Sequence, residues 1–315
     1  MATTTSEKRA SEVRPDGESL SLDAFSSFDW LLLAGCALMW GSSFILIEEA
    51  LEAFPPPVIA FVRVVLGAAT LVSFPAARRK VARADLPALG LLGLLWMAGP
   101  FLLFPVAQQW IDSSLAGMIN GGVPVFATLI SITVVRRAPT TAQLAGVAVG
   151  FVGIVAVGWP VVQGSRATLV GVLLVGLATF SYGIALNIAV PLQRRYGSLP
   201  VLLRAQLAAI ALTVVPAAVT VGDARFEWNS AAALIPLGCL GTALAFVAMT
   251  TLVGRVGAAR GSIAVYFVPI VAIVLGAGLR NESIALLSIL GTALVILGAV
   301  LAGRGAARSS QRTSG

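Results

Sequence analysis

The chain has 315 residues, 58% of them hydrophobic and 11% charged, against roughly 25% charge in an ordinary soluble domain. That composition excludes a soluble globular enzyme, and it excludes a disordered chain, which needs low hydrophobicity and high charge. With no histidine present, a Ser-His-Asp triad, a Cys-His pair and an imidazole metal site are excluded as well.

Residues 1–28 (MATTTSEKRASEVRPDGESLSLDAFSSF) are polar and mixed in charge. They lack the apolar core and small-residue cleavage site of a signal peptide and read as a flexible tail. Apolar windows then recur between charged or Pro/Gly-rich breaks, at 30–51, 57–77, 86–107, 113–135, 141–159, 168–190, 199–221, 231–252, 259–279 and 283–303. A membrane helix takes ~20 apolar residues, so ten of them use about 200 positions. The connections are too short for a separate soluble domain, and the alternating runs of a membrane β-barrel are absent. The expected fold is an all-α polytopic membrane protein with ten transmembrane helices, ending in a polar tail at 304–315. Cys36 and Cys239 fall inside apolar stretches and read as packing residues, not as a disulfide or zinc framework.

Sixteen of the 21 basic residues fall on one side of these spans. They are Lys8, Arg9 and Arg14, then Arg78, Arg79, Lys80 and Arg83, the pairs Arg136/Arg137, Arg194/Arg195 and Arg255/Arg260, and finally Arg304, Arg308 and Arg312. The opposite side carries Arg166, Arg225 and Arg280, while Arg63 and Arg204 lie within spans. The bias puts both termini in the cytoplasm of a plasma-membrane protein. The net charge of +7 is thereby a topology signal that favours anionic membrane lipids and does not call for nucleic acid.

The chain also repeats itself. At an offset of 145, Gly93 falls on Gly238, Leu95 on Leu240, Ala98 on Ala243, Pro124 on Pro269, Gly146 on Gly291 and Gly153 on Gly298. At 141, Arg63 falls on Arg204 and Pro75 on Pro216, and at 142, Gly41 falls on Gly183. Two five-span repeats follow, at 29–160 and 167–303. Five is odd, so the second repeat enters the membrane inverted. Such repeats place a substrate site near the midplane and interchange conformations to give alternating access.

Trp40 to Arg63 (WGSSFILIEEALEAFPPPVIAFVR) resembles the opening of an EamA-type repeat of the drug/metabolite transporter superfamily. So does SSLAGMINGGVPVFATLI with the glycine-rich TAQLAGVAVGFVGIVAV after it. The second repeat's signature is similar to GTALAFVAMTTLVGRVGAARGSIAVYFVPIVAIVLGAGLRNES, through Gly241–Ala243, Gly257–Ala259, Pro269 and Glu282. The resemblance implies ten helices and a carrier of small metabolites, most often an exporter of amino acids or related compounds. This chain departs from it with Glu48 where many relatives carry lysine, and with Arg137 where the first repeat often carries glutamate.

Ionisable groups within spans cost about 2.5–3.5 kcal/mol each to insert, so each is a functional candidate. Glu48 and Arg63, at similar depth, are expected to pair as an outer gate or charge site, with snorkelling to the interface as the alternative. Arg204 is the repeat-related counterpart of Arg63. If transport is coupled to protons, Glu48 or Glu49 carries them. Trp40, Ser42, Ser43, Trp96, Asn120, Tyr182, Asn187 and Tyr266 are the candidate substrate contacts. Gly121, Gly122 and Pro124 in the fourth span, and Pro269 in the ninth, are the candidate helix breaks that free backbone groups. Gly146-x-x-x-Gly150 permits close helix contact. No GxxxxGK[ST] loop occurs, so ATP is not consumed, and neither cofactor nor metal is expected. The sequence therefore reads as a transporter of a small molecule and not an enzyme. A membrane enzyme acting on a lipid-borne substrate and a sensory or scaffold protein are the alternatives.

Overall fold

The computed structural model describes residues 25–135, 139–162 and 166–311. Among them the chain is helical, with no strand. Eight helices are long and apolar enough to cross a membrane: α1 (Ser27–Leu51), α3 (Arg83–Ala107), α4 (Ser113–Thr133), α5 (Thr141–Pro160), α6 (Thr168–Tyr196), α7 (Ser198–Asp223), α8 (Trp228–Val256) and α10 (Leu286–Gly303). Two shorter apolar helices, α2 (Pro56–Val72) and α9 (Ile263–Leu279), complete the set. Residues 1–24 of the tail, the pair Arg136/Arg137 and Arg312 lie outside the described residues.

Local chemistry moves several boundaries from where hydropathy puts them. α1 begins at Ser27 because Ser26 and Asp29 form a capping box, Ser26 N donating to Asp29 Oδ2 at 3.0 Å and Asp29 N to Ser26 Oγ at 3.3 Å. The last residues of the polar stretch thus start the first helix. Asp29 is buried and also pairs with Arg255 of α8. α2 starts on Pro56, whose missing N–H costs nothing in a first turn. It stops at Val72, five residues short of expectation, because Phe74 precedes Pro75 and is held extended. α6 and α8 run several residues past their expected ends until Gly197 and Gly257, at φ 84° and 83°, turn the chain into the left-handed region. α10 begins three residues late, after Asn281 at φ 55°.

Polar contacts sort the helix ends into two groups. At one end Arg255 meets Asp29, Arg195 meets Asp85 at 2.8 Å, Tyr196 donates to Asp85, and Arg204 Nη2 donates to the Arg79 carbonyl at 3.3 Å. At the other, Arg225 N bonds the Ala53 carbonyl at 2.8 Å, and Arg280 pairs with Glu49 at 2.5 Å and Glu52 at 2.6 Å. The start of α1, the α2–α3 and α6–α7 connections and the end of α8 therefore share one end. The α1–α2, α7–α8 and α9–α10 connections share the other.

The packing repeats with the halves exchanged. α5 lies along α10, α2 along α7 and α4 along α9. α1 meets α8 and α9, while α6 meets α3 and α4. Glycines make the closest of these approaches. A Cβ on Gly153 would stand 2.7 Å from the Gly291 carbonyl, and one on Gly291 2.8 Å from that of Gly153. Gly146 and Gly298 face each other in the same way, at 2.6 Å in both directions. Position 146 thus opposes 298 and 153 opposes 291, so α5 and α10 run in opposite senses. Likewise a Cβ on Gly41 would meet Val271, and one on its counterpart Gly183 would meet Phe126.

These contacts predict opposite outcomes for two Gly→Ala changes in helices. Gly153→Ala overpacks the α5–α10 seam and should lower stability by about 1–3 kcal/mol. Gly90→Ala, in open space, should raise it by up to about 1 kcal/mol. Thermal unfolding of the detergent-solubilised protein checks both signs.

Candidate functional site

Among the described residues, four interruptions of regular α-helix lie in the interior of the long helices, away from their ends, and they surround one cavity. α1 is interrupted at Ser42 and α4 at Gly121–Gly122. α3 and α8 each contain a π-helical segment, Gly93–Ala98 and Leu240–Leu244, at nearly matching places in the two halves. Such segments, rare in proteins, often mark functional sites. Between them lies a cavity of about 150 Å³. The first half supplies Trp40, Ser43, Phe44 and Ile47 from α1, Arg63 from α2, Trp96, Phe101 and Phe104 from α3, and Asn120 and Val123 from α4. The second supplies Tyr182 and Leu186 from α6, Gly241 and Phe246 from α8, and Val265 from α9.

The walls are mostly aromatic. Phe246 packs edge-on against Trp40 at 5.3 Å and Trp96 at 5.4 Å between ring centroids, and Phe104 sits 6.0 Å from Tyr182. Arg63 is set into this lining. It is the eighth residue of α2, is 5% exposed, and places its guanidinium 3.8 Å over the Phe101 ring. Its Nε donates to Thr242 Oγ1 at 2.8 Å. The π turn makes that contact possible. Thr242 Oγ1 donates to the Leu237 carbonyl five residues back, at 2.9 Å, leaving its lone pairs to accept from Arg63. Gln206 of α7, fully buried, holds the same residue by donating to the Thr242 carbonyl at 3.1 Å.

Prolines act on the cavity from both halves. Pro124 and Pro269 each remove the N–H that would bond the carbonyl four residues earlier. Those carbonyls belong to Asn120 and Val265, which occupy equivalent positions in the two halves and both line the cavity. Asn120 Oδ1 is also buried without a hydrogen-bond partner. The expected break of α4 at Gly121 and Gly122 is present. α9, however, runs unbroken from Ile263 through Pro269 to Leu279. Pro269 packs against Gly121 instead, where a Cβ would stand 2.6 Å from its Cγ.

Of the residues singled out from the sequence, Trp40, Ser43, Trp96, Asn120, Tyr182 and Arg63 meet at this cavity. Ser42 stands at the interruption of α1, its Oγ donating within its own turn to the Met39 carbonyl. Asn187 ties α6 to α4 through the Ala127 carbonyl at 3.0 Å. Tyr266 is half-buried, its hydroxyl against α10 beside Gly303. The expected Glu48–Arg63 pair does not form. Arg63 points to Thr242 and Phe101, while Glu48 lies 4.0 Å from Arg280 and beside Ser113 and Glu282. The two sit on different helices and find nearer partners, so similar depth did not bring them together. Arg204 reaches the Arg79 carbonyl at the basic end and not the cavity.

Sequence reasoning missed Thr242, because nothing in a composition window marks a π turn. It also missed the part played by Glu282, which reaches back to cap α4. Its Oε1 accepts from Ser113 N at 3.1 Å and Ser113 Oγ at 2.5 Å, and its Oε2 from Ser114 N at 3.0 Å. A carboxylate at a helix N-terminus satisfies orphan N–H groups and complements the dipole.

A family model described as the EamA-like transporter family matches residues 28–159 and 169–304. An uncharacterized transporter of Archaeoglobus fulgidus is 23% identical, the alignment covering 85% of this chain and 96% of that one. A probable terminal-alkyne amino-acid exporter of Streptantibioticus cattleyicolor is 27% identical over 87% of this chain and 93% of its own. A solved crystal structure, 19% identical, superposes with a TM-score of 0.59 over 88% of this chain and 98% of that one, a likeness of fold alone.

Glu282→Gln should remove the charge from the α4 cap and lower unfolding free energy by about 1–3 kcal/mol. Arg204→Gln, which loses only an exposed bond, should shift it by less than about 0.5 kcal/mol. Chemical or thermal unfolding of the two variants side by side measures the difference.

Proposed function

The chain belongs to the EamA-like transporter family, and from that premise we propose that it exports a small metabolite, an amino acid or related compound, across the cytoplasmic membrane by alternating access. In this reading ten helices form two five-helix repeats, 29–160 and 167–303, inserted in opposite orientations about the cavity. The exchanged packing of the halves supports it, as do the opposite senses of α5 and α10. The single observation that carries the reading is the cavity itself, walled by α1 to α4 from one half and by α6, α8 and α9 from the other. Sites at such a seam open to each face in turn as the repeats exchange conformations.

The basic end is cytoplasmic by its arginines, and both termini lie there. The opposite end, with Glu48, Glu49 and Glu52 around Arg280, faces outward and forms the outer gate. If transport is coupled to protons, Glu48 or Glu49 carries them. The named amino-acid exporter among the relatives favours the same substrate class. Transport is either proton-coupled or downhill, and no nucleotide is consumed.

Liposomes containing the purified protein and preloaded with labelled phenylalanine should release it several-fold faster than empty ones, and faster still with unlabelled phenylalanine outside. Chemical turnover of solutes without flux would instead identify an enzyme. Single cysteines placed at Arg83 and Arg255 should resist a membrane-impermeant maleimide in intact cells, whereas cysteines at Asp223 and Asn281 should react.

A further inference from the structure

Arg63 is the one cation in the cavity wall, and it is nine-tenths buried among rings. A guanidinium carries five N–H donors. Among the described residues, Arg63 makes a single hydrogen bond, from Nε to Thr242, and no ion pair. Its two terminal amino groups are therefore held in place, charged and unmatched, in a low-dielectric chamber. Burying an ionised group without a counter-charge is costly. The cation–π contact with Phe101 offsets part of that cost and covers a face of the guanidinium, whereas the N–H donors point outward in its plane.

From this geometry we infer that Arg63, aimed by Thr242, is the anion anchor of the cavity and selects a small carboxylate with a compact apolar body. The inference rests on the carrier reading above and adds a residue and a charge rule to it. The guanidinium fork fits a carboxylate through two parallel bonds. One positive charge balances one carboxylate. A phosphate monoester carries about −1.5 to −2 at neutral pH and would bring unmatched negative charge into the same aromatic walls. A cavity near 150 Å³ matches the size that in another protein holds a benzene ring, which sets the scale of the apolar body. Asn120, a lining residue whose Oδ1 is buried without a hydrogen-bond partner, supplies an acceptor elsewhere in the wall. It suits an amino or hydroxyl group carried beside the carboxylate. Thr242 is a positioning residue: it touches Arg63, and its own orientation is fixed by the π turn.

The test uses the purified full chain, with labelled phenylalanine displaced by phenyllactate, 3-phenylpropionate, phenethylamine or phenyl phosphate, and with liposome flux measured in parallel. The three carboxylates should bind, phenyllactate and phenylalanine more tightly than phenylpropionate, while the amine and the phosphate should bind at least tenfold more weakly. Arg63→Gln should weaken carboxylate binding roughly ten- to hundredfold, and Arg63→Lys, which keeps the charge and loses the fork, should fall between. Thr242→Val should raise KM with little change in kcat, and Thr242→Ser should restore it, a rescue that a merely structural role does not give. Equal binding of phenethylamine and phenylpropionate, undiminished binding in Arg63→Gln, or no carboxylate binding at all would overturn the anchor. Arg63-dependent binding without flux would overturn the carrier reading and keep the anchor. Flux of phenethylamine indifferent to Arg63→Gln would do the reverse.

Discussion

Backbone N–H and C=O groups in hydrocarbon have no water to bond, so a chain in a membrane must satisfy them within its own helices. Irregular backbone is tolerated there only where protein or a wet chamber surrounds it. In this molecule the interruption at Ser42, the turn at Gly121–Gly122 and both π segments converge on one cavity. The helices that face away from it are largely unbroken. This placement is the constraint from which the other features follow, because each irregularity turns a side chain or a carbonyl inward that a straight helix would hold elsewhere.

The two halves meet that constraint with related devices and different side chains. Pro124 and Pro269 both remove a helical donor beside the cavity, and the residues affected are Asn120 in one half and Val265 in the other. The π segment of α3 delivers Trp96, while that of α8 delivers Gly241 and Thr242. Arg63 and Arg204 are repeat-related, yet one lies over Phe101 in the cavity and the other bonds a carbonyl at the basic end. The two halves thus frame a chamber whose charge, among the described lining residues, comes from Arg63 of α2.

Two different kinds of contact hold the helices together. Close glycine seams between α5 and α10 let two backbones approach, with Ser288 Oγ donating across to the Val157 carbonyl at 2.9 Å, and they lie apart from the cavity. Contacts at the acidic end are of another kind. Arg280 gathers Glu49 and Glu52, and Glu282 caps α4, so α1, α4 and the α9–α10 connection are tied together by charge. Ion pairs at an interface are cheap to remake, whereas glycine seams are not. A carrier that rearranges at its mouth while keeping its helix pairs intact would be built in this way.

The sequence by itself determined the helical membrane class, the positions of the apolar helices within a few residues and six of the residues at the cavity. Each of these is a property of composition or spacing, and a bilayer leaves few other solutions for such a chain. Tertiary structure alone decided the partner of Arg63, the use of Glu282 as a cap for a distant helix, the exclusion of Asn187, Tyr266 and Arg204 from the cavity, and the continuity of α9 through Pro269. Those outcomes depend on which helix faces which, and on a π turn that shifts side-chain register by one residue. Neither is encoded in depth along a span, which is all that a single sequence of apolar windows conveys.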